Sequence, residues 1–416
     1  MPELRVGILL PESSPSFFQL CPWIDRTSGG AFRFSECILL ELIKTQEAVK
    51  EDLSFIFFGH HSEFQASGNI QKANHIKYPN SIYLFSKALL QYAEQYIKFL
   101  WSKKTPKFQQ SIDSVWTEFF RSQGVTLIYS PFPIKRSLRL PYITTIWDVS
   151  HRVVDFCPEF TNSGMWEEIE TTYCKTLPRA SMVIVGTEYL KSTILQLYSV
   201  LSNKIRVIHF PNPIVFPLEK RQKPNKSKQN LDVIFPSRLW PHKNHKILFE
   251  AFKLLKFSNE SRIRLTLCGL NQSETVVAKR IVKSLGLEDL ILCEGYLSDA
   301  ALLEKYMECD VVVYPSLAGP DNLPPLEGLE AGKTVLVADI PGARECYSTS
   351  VLYFDPFDAN ALAKQLKIIF QKFQDDADNS DLDQPVRVQT SEEYCRTLVS
   401  IFKRCAEENP NLELKF

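Results

Sequence analysis

Residues 233–252 read VIFPSRLWPHKNHKILFEAF: a β-branched and aromatic run, a loop of prolines and cations, then apolar residues at helical spacing. A strand running into a helix through one short loop is the repeating unit of a parallel sheet with crossover helices. The loop sets Arg238 and Lys243 at the carboxyl end of that strand, with a helix N-terminus behind them. Such a place suits a diphosphate, because Arg grips two oxygens, Lys acts as a point charge and the helix end adds partial positive charge. Surface cations are common, but these two cluster with His242 and His245 in one strand-to-helix loop, which favours the anion reading.

Downstream the same alternation continues, with strand-like runs at 232–235, 264–268, 290–293, 311–314, 334–338 and 351–354. Upstream it occurs at 5–10, 54–58, 126–129, 142–146, 182–185 and 205–208. Between the two series lies PNPIVFPLEKRQKPNKSKQN, too polar and proline-rich to bury, which reads as a linker. Two successive alternations predict two doubly wound α/β domains side by side, with ligands held outside the carboxyl ends of their strands. A chain of 416 residues is also too long for one compact core, at roughly 150 residues per domain.

The 48 Lys and Arg balance 48 Asp and Glu, so the chain as a whole lacks the electrostatic footprint of a nucleic-acid binder. Ten cysteines stand singly, with no CxxC pair, as small buried hydrophobes of a reducing compartment do. No apolar run reaches the roughly 18 residues of a membrane span, and MPELRVGILLPESS turns polar too soon for a signal peptide, so a cytoplasmic protein is expected. The lysine-rich linker and YIKFLWSKKTPKF (96–108) allow peripheral contact with the inner face of a membrane, against the plainer reading of solvated faces. The acidic run DDADNSDLDQ (375–384) has DxD spacings, but such a run is usually a solvated loop, and no metal site is assigned.

After the predicted strand 311–314 comes a Gly- and Pro-rich loop, 319–325, and then Glu327 at the expected start of a helix ended by Gly332. A carboxylate there either complements the helix dipole or accepts two hydrogen bonds from a ribose diol, and spacing alone leaves both open.

SRLWPHKNH (237–245), LCEGYLSDAALLEKYMECDVVVYPSL (292–317) and GPDNLPPLEGLEAGKTVLVADIPGARE (319–345) together resemble the donor half of family 4 glycosyltransferases of the GT-B fold. TSGGAFRF (27–34), PYITTIWDVSHRVVDFCPEF (141–160) and RASMVIVGTEYLK (179–191) are similar to the other half more loosely. The resemblance implies two Rossmann-like domains facing a cleft: 1–212 on the acceptor side, a linker 213–230, a donor domain 231–390, and a final helix in 391–416 returning to the first. It implies retaining transfer of a hexose from a UDP- or GDP-linked sugar to a saccharide or glycolipid acceptor, with no cofactor and no obligatory metal.

By the same resemblance Arg238 and Lys243 neutralise the leaving diphosphate, and Gly29 and Gly30 let backbone N–H groups approach it. Gly269 joins the donor site, Tyr296 meets the nucleobase through its backbone, and Glu327 holds the ribose. The family's first Glu of its paired-glutamate motif falls on Gly319, so Asp321, with Asn322 and Leu323, is expected to bind the sugar hydroxyls instead. On the acceptor side, Asp148 and His151 follow the strand 142–146 and are candidates to bind or deprotonate the acceptor. Trp147 stands where the family often has His. These departures keep two other readings open, an inactive GT-B-like scaffold and a sugar-nucleotide epimerase.

Overall fold

The structure, a computed structural model, describes residues 4–9, 30–48, 53–58, 75–76, 86–94, 108–161, 164–214, 216, 229–347, 349–374 and 389–408. Two parallel sheets organise it. The first holds β1 (Leu4–Leu9), β2 (Leu53–Phe58), β3 (His75–Ile76), β4 (Leu127–Ser130), β5 (Tyr142–Ile146), β6 (Met182–Val185) and β7 (Ile205–Val207), in the order β3-β2-β1-β4-β5-β6-β7. The second holds β8 (Leu231–Pro236), β9 (Ile263–Cys268), β10 (Ile291–Cys293), β11 (Val311–Tyr314), β12 (Thr334–Ala338) and β13 (Leu352–Phe354), in the order β10-β9-β8-β11-β12-β13.

All residues of β4, β5, β6 and β11 are buried, which is why β6 and β11 are continuous apolar runs and β4 and β5 admit only small hydroxyl residues beside their apolar ones: helices cover both faces of a parallel sheet. The helix His245–Phe257 buries Ile247, Leu248, Ala251, Phe252 and Leu255 on one stripe. The helix Ala359–Gln374 packs beside it with Leu362, Leu366 and Phe370 buried. Each large side chain so buried contributes about 1.5–3 kcal/mol.

The helix Ser391–Glu407 opens on a capping box, with Thr390 Oγ1 accepting from Glu393 N–H and the Glu393 side chain accepting from Thr390 N–H. It places Tyr394, Leu398 and Phe402 in the core of the first lobe, and Cys395 Sγ donates to the Ile38 carbonyl at 3.6 Å. The chain thus leaves the second lobe and returns to the first.

Within each sheet the strand order reverses once, between β1 and β4 and between β8 and β11. The loops after β8 and β11 therefore leave on opposite sides and open a crevice, the position where doubly wound sheets hold ligands. One expectation needs correction here. Glu327 does not begin a helix: the helix Leu323–Glu330 starts four residues earlier, with Asn322 before it and no acid in its first turn. Proline at the first helical positions needs no N–H partner, so Pro324 and Pro325 belong to the helix and not to a loop. Gly29, most of the linker, the segment 375–384 and nearly all of 96–108 lie outside the described residues.

Candidate functional site

The loop after β8 forms the turn Pro241–Lys243, and Asn244 follows with a left-handed backbone, φ 57°. The loop after β11 is tied to it: Leu317 N–H donates to the His242 carbonyl at 2.8 Å, and Asn244 Nδ2 donates to the Pro315 carbonyl at 3.3 Å. Across this junction Lys243 Nζ donates to Asn322 Oδ1 at 2.8 Å and lies 5.4 Å from the centre of the Tyr314 ring. The Tyr314 hydroxyl also donates to Asn322 Oδ1, at 3.2 Å, while Asn322 Nδ2 donates to the Ala318 and Gly319 carbonyls. Asn322 is therefore the hub that folds residues 318–322 and fixes Lys243 beside them.

Arg238 sits differently. Its Nε donates to both carboxylate oxygens of Glu274, at 2.8 and 3.1 Å, and its guanidinium lies 6.0 Å from the Trp240 ring centre. Glu274 in turn caps Asn271 N–H at 2.9 Å. The structure thus brings Lys243 to the loop after β11 and rests Arg238 on the first turn of the helix Gln272–Ser284. Gly269, at the end of β9, has φ 83° and approaches Ser237, and Tyr296 is exposed.

Asp321 is the most perturbed acid of this region. Its Oδ2 is buried without a hydrogen-bond partner, although the residue as a whole is only partly buried. Burial pushes its carboxyl up to about 7; the nearby Asp148 and Glu345 add to the rise, while its own backbone hydrogen bond and Lys243 oppose it. An acid divided between its two protonation states near neutral pH can accept or donate a hydrogen bond, or move a proton.

A pocket opens between the lobes at this point, with Asp148, Ser150 and Tyr189 on one wall and Ala318, Gly319 and Pro341 on the other. Asp148 Oδ1 accepts from Ser150 N–H at 2.8 Å, a local turn that holds the carboxylate at the rim. His151 is turned away from it. Its ring is buried, with Nε2 3.2 Å from both Glu170 Oε2 and the Tyr198 hydroxyl, and Tyr173 packs edge-on at 5.5 Å. Burial lowers its pKa, with Glu170 opposing. Trp147 packs at 6.5 Å against Phe34 and fills space where the resembled family often has His.

Several contacts across the cleft have no signal in the sequence. His242 N–H and Nδ1 meet Glu159 Oε1 at 3.0 and 2.6 Å, and the ring stacks near Phe160. Burial and Lys243 lower the His242 pKa against the pull of Glu159, and because a carboxylate oxygen accepts, Nδ1 carries the hydrogen of this contact. Glu345 accepts from Glu188 N–H at 2.6 Å and from Tyr189 N–H at 3.1 Å, closing the N-terminus of the helix Glu188–Leu197. Asn212 Nδ2 donates to Glu330 at 2.9 Å. Leu323 joins the apolar core of the first lobe.

Glu327 is 0% exposed. The Tyr306 hydroxyl donates to its Oε2, and Arg33 of the first lobe stands 2.8 Å from its Oε1. Gly30 begins the helix that carries Arg33. Among the described residues, no group of three or more His, Cys, Asp or Glu could hold a metal ion, and no helix is long and apolar enough to cross a membrane.

Two doubly wound lobes facing a shared pocket, with the last helix crossing back, define the GT-B class of fold. In agreement, a glycosyltransferase from Rickettsia africae superposes with a TM-score of 0.62 at 16% identity, covering 97% of this chain and 98% of its own. An Anabaena HepE structure, solved with UDP-glucose, superposes with a TM-score of 0.59 at 16% identity, over 98% and 100%. Residues 218–378, in the second lobe, match the family "Glycosyl transferases group 1". The O-antigen chain mannosyltransferase B of Escherichia coli is 25% identical over 256 residues, which is 60% of this chain and 64% of the relative.

Proposed function

We propose that the protein is a retaining glycosyltransferase that moves a hexose from a nucleotide-diphosphate sugar to a saccharide or lipid-linked acceptor, in the making of a cell-surface polysaccharide or glycolipid. The observation that carries this reading is the pocket between the lobes. It is walled by Asp148 on one side and the 317–320 loop on the other, with Lys243 anchored to that loop through Asn322. Mannose is the sugar to try first, given the mannosyltransferase among the relatives, while the UDP-glucose bound by a protein of like fold keeps UDP donors beside GDP donors.

In this reading Lys243 and Arg238 balance the charge of the departing diphosphate without a metal, Arg238 leaving Glu274 to do so. Asp321 accepts hydroxyl hydrogen bonds from the donor sugar, taking up its unpartnered Oδ2. Asn322 and the backbone at Leu323 complete that wall, with Gly29, Gly30 and Gly269 admitting the phosphates and Tyr296 the base. Asp148 holds the acceptor at the rim. Work at the inner membrane face, in the cytoplasm, fits a lipid-linked acceptor.

The test is release of free nucleotide from UDP- and GDP-sugars in the presence of saccharide and glycolipid acceptors, with the product anomer read by NMR. Gly319 in the place of a carboxylate favours one second reading, an inactive scaffold: donor binding with no release under any acceptor would establish it.

A further inference from the structure

Glu327 and Arg33 stand on opposite lobes, one on the helix Leu323–Glu330 and the other in the first turn of the helix Gly30–Ala48. They form an ion pair at 2.8 Å, yet neither Glu327 Oε1 nor the facing Arg33 nitrogen has a hydrogen bond of good alignment. Charge attraction therefore holds the pair while one acceptor site and one donor site remain unspent. Burial lowers the pKa of the Arg33 guanidinium, and the facing Glu327 carboxylate more than reverses that. A carboxylate with no exposure cannot simply lose its cation, because an unpaired buried charge costs several kcal/mol. Whatever separates the two must supply hydrogen-bond donors to Glu327 and negative charge to Arg33 at once.

We propose that Arg33 is a further residue for the diphosphate of the nucleotide whose ribose the resemblance assigns to Glu327, so that one nucleoside diphosphate satisfies both members of the pair. Arg33 is then a donor-binding residue from the first lobe, and the pair seen here is the ligand-free arrangement in which each residue stands in for half of the nucleotide. The positive end of the helix that carries Arg33 adds to the same anion site. The proposal rests on the nucleotide-sugar reading above.

Calorimetric titration of UDP, GDP, uridine and guanosine into the full chain tests it. Arg33→Gln is expected to weaken the diphosphate about tenfold or more relative to the matching nucleoside, the scale of one charge-assisted hydrogen bond. Because Arg33→Gln leaves Glu327 buried and unpaired, Glu327→Gln is compared with the double variant Arg33→Gln/Glu327→Gln, in which neither charge remains. The double variant should bind the diphosphate about tenfold more weakly than Glu327→Gln and the nucleoside equally well. Equal diphosphate affinity in that pair, or equal losses for diphosphate and nucleoside, overturns the role of Arg33. A wild-type chain that binds none of the four overturns the nucleotide-sugar reading itself.

Discussion

The Oδ2 atom of Asp321, on the second lobe, occupies the place that a Cβ on Gly186 of the first lobe would take. The missing side chain at Gly186 is what lets this carboxyl touch the opposite lobe. In Gly186→Ala the carboxyl must rotate away, since the new Cβ would also stand 3.1 Å from Asp321 Cγ and from the Phe210 ring. A side-chain end yields more cheaply than backbone, so stability should fall by only about 1–2 kcal/mol. Turnover should fall about tenfold or more, the scale of one lost hydrogen bond to a charged group. Steady-state kinetics beside a denaturant melt will separate the two, and unchanged turnover would remove Asp321 from the site.

The same carboxyl predicts how stability depends on pH. In the unfolded chain an aspartate loses its proton near 4, whereas in the folded protein burial pushes Asp321 up to about 7. Between these values the folded state keeps a proton the unfolded state has lost, so this group's contribution declines as pH rises from about 4 to about 7 and is level above. Asp321→Asn removes that decline. The variant should match the wild type at pH 4 and exceed it at pH 8 by up to about 4 kcal/mol, at about 1.4 kcal/mol per pKa unit. Urea unfolding at the two pH values checks it, and a constant difference would refute the assignment.

Both sheets were legible because parallel strands buried on two faces are rich in apolar and β-branched residues: β6 and β11 are unbroken apolar runs, and β1, β7 and β9 keep that character around a single arginine. His75–Ile76 is two residues long and carries no pattern of its own. The boundary of the helix Leu323–Glu330 misled because two prolines look like loop residues, though the helix N-terminus tolerates them. Arg238 and Lys243 were found as cations, but their present partners were not: Glu274 and Asn322 lie 36 and 79 residues further along the chain. The contacts of Glu159 with His242 and of Glu345 with the Glu188 N–H span 83 and 157 residues. No local spacing encodes a pair that exists only when two lobes meet.

His151 carries a prediction about structure. Its Nε2 is committed to Glu170 and Tyr198. Burial alone would raise Glu170, but its hydrogen bonds, that of Arg152 first, hold it down at about 2. Breaking this network should cost about 1–3 kcal/mol. His151→Gln is therefore expected to lower the melting temperature while kcat/KM per folded molecule stays within about twofold, as for a group outside the transition state. A large loss of kcat at full folding would instead place the ring in the chemistry.

Arg238→Ala separates binding from folding in the opposite sense. Glu274 keeps its bond to Asn271 N–H at 2.9 Å after the guanidinium is gone, so it is not left unsatisfied. The melting temperature should hardly move, because an exchange between partly exposed charges is worth about 1 kcal/mol or less. Affinity for the nucleotide sugar should fall by about 1.5–3 kcal/mol, the value of a hydrogen bond to a charged group. Calorimetry with the donor that proves active gives the comparison.

Gly319→Glu asks whether restoring the carboxylate of the resembled motif restores or harms the site. Gly319 has φ 73°, and its Cβ would stand 3.2 Å from Asn322 Nδ2. A side chain on a left-handed backbone costs about 1–2 kcal/mol. The larger effect is on Asn322, whose Oδ1 holds Lys243 Nζ at 2.8 Å; pushing Asn322 aside frees the cation that should meet the diphosphate. Gly319→Glu is therefore expected to weaken donor binding, and Gly319→Ala to share most of that loss, since backbone strain and the displaced Asn322 are common to both. Donor titration of the two variants decides: if glutamate alone raised affinity or turnover, the carboxylate and not the backbone would govern this position.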